Sequence, residues 1–357
     1  MNKLKVLELF GGIGACSKAL ERLGIDYEIV DYVEIDKYAV KSFNAIHNTN
    51  FEPQDVCNYN KDIVVDLLMH GSPCQDFSIA GKQAGGDKDS GTRSSLMYET
   101  LRIVEKLKPK YVIWENVKNL LSKKHFHNFQ SYLDKMEELG YSNYYQVLNA
   151  KDYGVPQNRE RVFTISIRKD LNQDFMFPPK KELKLSVKDI LDKNVDDYYY
   201  KVCPSMLEAL KVGKVQDITN EKYSHTLTTK QARWNNAGLI CEYVNKKYDK
   251  FIKNNGYVPE MFNPYNNKEI KDIAPTQTTN CGSTTSSSTI FIRNGVRFRY
   301  LTPKECWRLM GFDDNDYEKA SRVCPRSQLY KQAGNSIVVN VLEEILRNLL
   351  PENVKVK

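Results

Sequence analysis

Short apolar runs that stop at glycine or at an acidic residue recur through the first half of the chain. Lys5 to Phe10 (KVLELF) runs into Gly11, Gly12 and Gly14, and the amphipathic stretch CSKALERLG follows, ending at Gly24. That order predicts a strand, a glycine turn and a helix. A second run, Tyr27 to Val33, ends at Glu34 and leads into DKYAVKSFNAI, which has helical periodicity. A third strand end is expected at Asp55 and Val56, and a fourth strand over Asp62 to Met69 would deliver Cys74 just past its carboxyl end. Beyond a glycine-punctuated loop, Leu96 to Leu107 reads as a helix and Tyr111 to Trp114 as a fifth strand ending at Glu115 and Asn116. Phe126 to Leu139 predicts another helix, and two apolar runs between Tyr144 and Ile167 flank KDYGVPQNRER as a hairpin-like pair at the sheet edge. The alternation predicts an α/β fold with a doubly wound, mostly parallel sheet.

The pattern changes at about Asp170. Prolines at 178 and 179, YYY at 198–200, many lysines and asparagines and a Thr/Ser stretch over 276–289 replace the helix-strand alternation as far as Phe298. Such segments suit a loop-rich lobe that hydrogen-bonds phosphates and base edges, and suit a disordered surface nearly as well. Two Thr-x-Thr-Thr cores, in HTLTTKQ (225–231) and APTQTTNCG (274–282), read more readily as coincidence than as a paired device. Order returns in RYLTPKECWRLMGF (299–312), where Thr302, Pro303 and Glu305 mark a helix start and Gly311 its close. QAGNSIVVNVLEEILRNLL (332–350) reads as a glycine-asparagine turn and an apolar helix that should pack on the sheet. The divisions expected are 1–170, 171–298 and 299–357.

With 357 residues the chain is long enough for two domains. It contains no run of about 18 apolar residues, which argues against a membrane span, and the opening MNKLKVLELF lacks the small-residue cleavage site of a secretory signal. Eight cysteines without a C-x-x-C pair suggest reduced intracellular thiols and no metal site. A formal net charge of +7 fits a polyanionic partner and is weak support on its own.

Candidate chemistry follows from the strand ends. Ligands of open α/β sheets sit outside the carboxyl ends of the strands, so the Gly11 turn, Glu34, Asp55, Cys74 and Glu115 are expected to converge on one crevice. The glycines let the backbone approach a ligand, and Glu34 lies where nucleotide-binding folds place a carboxylate on ribose hydroxyls. An alternative assigns Glu34 and Asp36 to capping the following helix. Gln157, Arg159 and Arg161 alternate, which sets both arginines on one face of a strand. A Pro-Cys pair alone reads more readily as a turn with a buried thiol than as a nucleophile.

Taken in order, ELFGGIG, VEIDKYA, GSPCQDFSIAGKQ, WENVKNL, VPQNRERVF, RYLTPKECWRLMGF and QAGNSIVVNVL resemble the cytosine-5 DNA methyltransferases of bacterial or phage type, over nearly the whole chain apart from about 180–270. The resemblance implies a Rossmann-like S-adenosylmethionine-dependent methyltransferase with a smaller, irregular target recognition domain. It makes 1–170 the catalytic and cofactor-binding domain, 171–298 the target recognition domain, and 299–357 a linking helix with a return to the first domain. Cys74 would be the nucleophile, Glu115 would act at N3 of cytosine, Arg161 at its carbonyl oxygen, and Arg159 would orient Glu115 or a phosphate. Leu9, Phe10, Gly11, Gly12, Ile13 and Gly14 would cradle the methionine part of S-adenosyl-L-methionine, and Glu34 would hold the ribose beside Ile35. Asp55 and Val56 would meet the adenine, Pro73 and Leu96 would add contacts, and Asn335 and Ser336 would lie beside the glycine turn.

For DNA the resemblance points to Gln75, Ser78, Lys82, Gln83 and Thr276, with the 80–90 loop closing over the duplex. Two departures stand out: Glu8 replaces the usual aspartate of the opening motif, and Ala15 replaces a glycine. The implied partner is duplex DNA, with no membrane, a monomeric enzyme, a cytoplasmic setting in a bacterium or phage-infected host, and a cognate restriction endonuclease as a further partner. The competing readings are a transfer RNA cytosine-5 methyltransferase, a non-catalytic DNA-binding relative and a nicotinamide-dependent oxidoreductase. The last gives no reason for the PCQ and ENV stretches.

Overall fold

The computed structural model describes residues 3–72, 96–196 and 301–351, together with 199, 210, 212–227, 229, 238–243, 251, 254–255, 261–263, 268–269, 291–292 and 296–299. Contacts divide the chain into two units: Met1–Leu191, Lys222–Ala237 and Pro303–Lys357 form the first, and Asp192–Glu221 with Gly238–Thr302 form the second. The described residues of 171–191 and 222–227, grouped with the irregular lobe on sequence pattern, thus make their contacts within the first unit.

The first unit is built on a six-stranded sheet in the order β2-β1-β3-β4-β6-β5. Its strands are β1 (Leu4–Leu9), β2 (Tyr27–Val33), β3 (Leu67–His70), β4 (Tyr111–Val117), β5 (Tyr141–Asn149) and β6 (Glu160–Arg168). The first four are parallel, while β6 runs antiparallel to both β4 and β5. Near-continuous apolar strands such as LKVLEL and LLMH are what a sheet covered on both faces requires. Leu7, Leu68, Val112 and Trp114 point into a core with Met97, Leu101 and Val104 of α3 (Met97–Leu107) and with Phe129, Tyr132 and Met136 of α4 (Phe126–Glu138). The alternate residues Val6, Leu67, Met69 and Ile113 are buried as well.

Further helices among the described residues are α1 (Ala15–Arg22), α2 (Lys37–His47), α5 (Pro303–Arg308), α6 (Asp314–Ser321), α7 (Arg326–Asn335) and α8 (Val339–Leu349). Helix α8 buries Val339, Leu342, Ile345 and Leu346 and packs on α1, rather than being assigned to the sheet directly. Lys18 of α1, with its side chain only 6% exposed, reaches Asp313 and Asp316 at the start of α6. This ion cluster joins the chain's end to its first helix. Among the described residues no helix is long and apolar enough to cross a membrane.

Three expectations are corrected. No strand ends at Asp55 and Val56: Asp55 instead caps a 3-10 turn, Val56–Asn58, by accepting from the Cys57 N–H. The third strand is β3, and it starts only at Leu67, because the preceding KDIVVD stretch leaves Ile63 half-buried and Val64 exposed. The QAGN stretch is not a turn but the last turn of α7, with Ser336 as its C-cap. Glycine and asparagine read as breakers are tolerated there because the helix is ending.

The second unit carries two small sheets, β7 (Ile240–Tyr243) antiparallel to β11 (Val296–Arg299), and the order β10-β8-β9 from Phe291–Ile292, Met261–Asn263 and Lys268–Glu269. Leu239 exchanges backbone hydrogen bonds with Gln216 and Ile218.

Candidate active site

The carboxyl end of β1 turns sharply through residues with positive φ, at 52° for Phe10, 55° for Gly12 and 80° for Gly14. The latter two positions require glycine for conformational reasons. A Cβ at Gly12 would meet nothing within 4 Å, so this side of the turn is open. Its N–H donates to Glu34 Oε2 at 3.2 Å, while Glu34 Oε1 accepts from the Asp36 N–H at 2.8 Å. Asp36 caps α2 by accepting from the Tyr38 N–H, so the capping role belongs to Asp36 and the link to the glycine turn to Glu34. Burial pushes the Glu34 carboxyl above its usual pKa, opposed by those backbone donors. Ile35 beside it is 69% exposed, an apolar side chain on an open surface.

Segment 54–56 is stitched to the end of β2. The Gln54 N–H donates to the Glu34 carbonyl at 2.9 Å and its side chain to the Tyr32 carbonyl at 2.8 Å. Arg102 of α3 donates to the Val56 and Tyr59 carbonyls. Val56 is buried, Asp55 is exposed, and Leu96 at the start of α3 packs half-buried against the core.

At β3 the chain passes from His70 to Gly71 and Ser72. A Cβ on Gly71 would lie 3.9 Å from Glu115 Oε2 and 3.6 Å from Ile337 Cδ1, so the strand leading to position 74 runs beside Glu115 and the segment after α7. Trp114 Nε1 donates to Ser72 Oγ at 3.0 Å, which ties Ser72 to β4. Glu115 is 9% exposed, and its Oε1 stands 3.1 Å from Arg161 Nε. Burial raises the Glu115 carboxyl above the carboxylate range, while the positive charges of Arg161 and then Arg159 pull it back.

Arg159 is nearly buried just ahead of β6 and donates to the carbonyls of Leu227, Gly334 and Ser336. Its charge acts on Glu115, and its bonds to Gly334 and Ser336 hold the backbone at the end of α7. Gln157, buried, accepts from the Leu227 N–H and donates to the Leu309 carbonyl. Thr226 and Leu227, the first half of the Thr-x-Thr-Thr core at 226–229, thus bond to residues 157–159 just ahead of β6. Ser336 is buried and Asn335 exposed, and α7 lies against α2 through Gln332 and the Lys331–Asp36 ion pair.

The geometry brings together Gly12 with Glu34, Glu34 with the 54–56 segment, and Gly71 with Glu115, Arg161 and Arg159. Cys74, Pro73, Gln75, Ser78, Lys82, Gln83 and Thr276 lie outside the described residues. Tyr32, His47, Gln54 and Trp114 touch the site and were not singled out from sequence. Position 32, two before Glu34 on a strand and hence on the same face, is the one that alternation could have flagged.

Residues 4–350 match the family described as C-5 cytosine-specific DNA methylase. The type II methyltransferase M.HhaI of Haemophilus parahaemolyticus is 35% identical across 97% of this chain and 94% of its own length. M2.ScrFI of Lactococcus lactis subsp. cremoris is 32% identical, covering 97% of this chain and 99% of that protein. Among solved structures, that of DNMT2 from Spodoptera frugiperda superposes with a TM-score of 0.68 at 22% identity over 97% of this chain and 99% of its own, a likeness of fold.

Proposed function

Because the chain belongs to the C-5 cytosine-specific DNA methylase family, we propose that Cys74, Glu115, Arg159 and Arg161 perform its chemistry and that residues 9–14 and Glu34 hold the cofactor. The protein is a cytosine-5 DNA methyltransferase that uses S-adenosylmethionine. The observation that carries the residue assignment is the Glu115 carboxylate, buried beside Gly71 and within 3.1 Å of Arg161.

The residues around the glycine turn fit the cofactor. Each Glu34 oxygen holds one N–H donor and retains acceptor capacity for hydroxyl groups, the Gly12 side is open, and Ile35 offers an apolar face. Asp55, Val56, Pro73, Leu96, Asn335 and Ser336 complete the proposed contact set. When bound, S-adenosylmethionine supplies an electrophilic methyl group on a sulfonium sulfur.

Carbon 5 of cytosine is a weak nucleophile. Cys74, as thiolate, adds to carbon 6 and places electron density on carbon 5. A free thiol has a pKa of about 8.5, so nearby positive charge is needed to populate the thiolate. Glu115 donates its proton to N3 as the adduct forms, and burial keeps that carboxyl protonated to higher pH than usual. Arg161 hydrogen-bonds the carbonyl oxygen of the base, and Arg159 fixes the backbone of 334–336. After methylation, N3 returns its proton to Glu115, water takes the carbon-5 proton, and the carbon–sulfur bond breaks to return the Cys74 thiolate. The base reaches this pocket only when flipped from the duplex, at a cost of a few kcal/mol.

Gln75, Ser78, Lys82, Gln83 and Thr276 are the proposed DNA contacts, and the second unit the proposed target recognition domain. We propose a monomeric state and a cytoplasmic setting in a bacterium or phage-infected host, with the enzyme acting either as an orphan or beside a restriction endonuclease of the same specificity. Sequencing of methylated cytosines in DNA from cells expressing the protein tests the reaction and reads the recognition sequence. A parallel methyl-transfer assay on duplex DNA and transfer RNA is expected to show transfer to DNA, and exclusive transfer to RNA would overturn the substrate.

A further inference from the structure

The glycine turn is backed by three rings from outside it. Tyr32, fully buried on β2, donates its hydroxyl to the Gly12 carbonyl at 2.7 Å. Its ring lies so close beneath Gly11 that a Cβ there would come within 2.6 Å of Tyr32 Cε2. His47, at the end of α2, places Nε2 at 3.4 Å from the Ile13 carbonyl. Phe43 stands between them, stacked on Tyr32 at 3.8 Å and tilted on His47 at 4.6 Å. The third carbonyl of the turn, that of Gly11, accepts from the Gly14 N–H at 2.9 Å. All three carbonyls from Gly11 to Ile13 are thus taken up by donors of the protein.

An amino-acid ligand brings a carboxylate, which is repelled by outward-facing carbonyl oxygens and attracted by N–H groups at a helix start. We infer that Tyr32 and His47 are positioning residues for the cofactor: they take up the Gly12 and Ile13 carbonyl oxygens, so that these oxygens are not left to repel the carboxylate of S-adenosylmethionine. The inference rests on the reading of residues 9–14 as the cofactor turn. Burial supports both donor roles. It holds the Tyr32 hydroxyl in its protonated form, and it lowers the His47 pKa to about 4, so a neutral ring protonated at Nε2 meets the carbonyl.

Isothermal titration of the full chain with S-adenosylhomocysteine and with 5′-methylthioadenosine, which lacks the amino-acid part, tests this. Tyr32→Phe keeps the ring and removes the donor. It should weaken S-adenosylhomocysteine binding roughly five-fold, the worth of one hydrogen bond, and leave 5′-methylthioadenosine unchanged. His47→Phe should do the same, while His47→Gln, which retains a donor, should recover most of the affinity. In turnover, KM for the cofactor rises and kcat holds. Tyr111→Phe removes a hydroxyl that serves Gln173, away from the turn, and should leave both affinities unchanged. Equal losses for the two ligands, or unchanged binding in Tyr32→Phe and His47→Phe, would overturn the inference. Failure of the unaltered protein to bind S-adenosylhomocysteine would instead remove the cofactor-turn reading beneath it.

Discussion

Arg161 Nε stands 3.1 Å from Glu115 Oε1, a pair set by the antiparallel register of β4 and β6 in which Val117 lies opposite Arg161. The two groups pull the same proton in opposite directions. Burial favours the neutral carboxyl of Glu115, and the guanidinium favours its anion. On the proposed role of Glu115 as donor to N3, function is lost as pH rises through its raised pKa, and the alkaline limb of kcat is expected to report that carboxyl. Arg161→Ala removes the nearest stabiliser of the anion and should shift this limb to higher pH while lowering kcat. Glu115→Gln should abolish the limb and reduce kcat by about 10²–10³-fold, in the range of general acid catalysis. Single-turnover rates across pH check both.

Glu34 ties the ribose side of the proposed cofactor site to the glycine turn through the Gly12 N–H. Glu34→Gln replaces one acceptor oxygen by a donor and should weaken S-adenosylhomocysteine binding by roughly ten-fold, read by titration calorimetry. Binding of non-cognate duplex DNA, followed by fluorescence anisotropy, should be unaffected.

Glu8 is buried at the end of β1 and accepts from both the N–H and the hydroxyl of Ser17. Burial raises its pKa from 4.5 to about 7. The folded state therefore binds its proton more tightly than the unfolded chain does, and stability falls as pH rises from about 4.5 to 7. The slope for one such group is at most about 1.4 kcal/mol per pH unit. Urea unfolding across this window should show that slope in the unaltered protein and a flatter one in Glu8→Gln.

Lys18 has a side chain 6% exposed, and its partner Asp316 is 3% exposed. Removing one member of a buried pair strands the other charge, so Lys18→Met should cost about 3 kcal/mol in urea unfolding. Lys135→Met on the exposed face of α4, where the ion pair with Glu138 is solvated, should cost less than about 1 kcal/mol.

Strands β1, β2 and β4 and helices α2 to α4 were legible because buried apolar runs and 3.6-residue periodicity are local signals. Asp55 and Val56 misled because a single buried valine beside a capping aspartate looks like a strand end, whereas the segment is held by Arg102 and Gln54 from distant elements. Glu34 and Glu115 stood out as acids at strand ends. Tyr32 was open to recognition only through strand alternation with Glu34, whereas a histidine at a helix end such as His47 becomes informative only once its carbonyl partner is known. The same holds for residues 224–227, whose contacts with Gln157 and Arg159 bridge about seventy positions of sequence.

Cys74 is proposed to form the covalent bond to carbon 6 of cytosine. A duplex carrying the methylated recognition sequence, with 5-fluorocytosine at the target position, tests it directly in the presence of S-adenosylmethionine. Fluorine at carbon 5 cannot leave as a proton, so the adduct persists through denaturing electrophoresis and peptide mass spectrometry. The account predicts a covalent complex linked through the peptide containing Cys74, and none with Cys74→Ser, which still binds S-adenosylhomocysteine. A complex linked through another residue, or substantial methylation of ordinary DNA by Cys74→Ser, would contradict it.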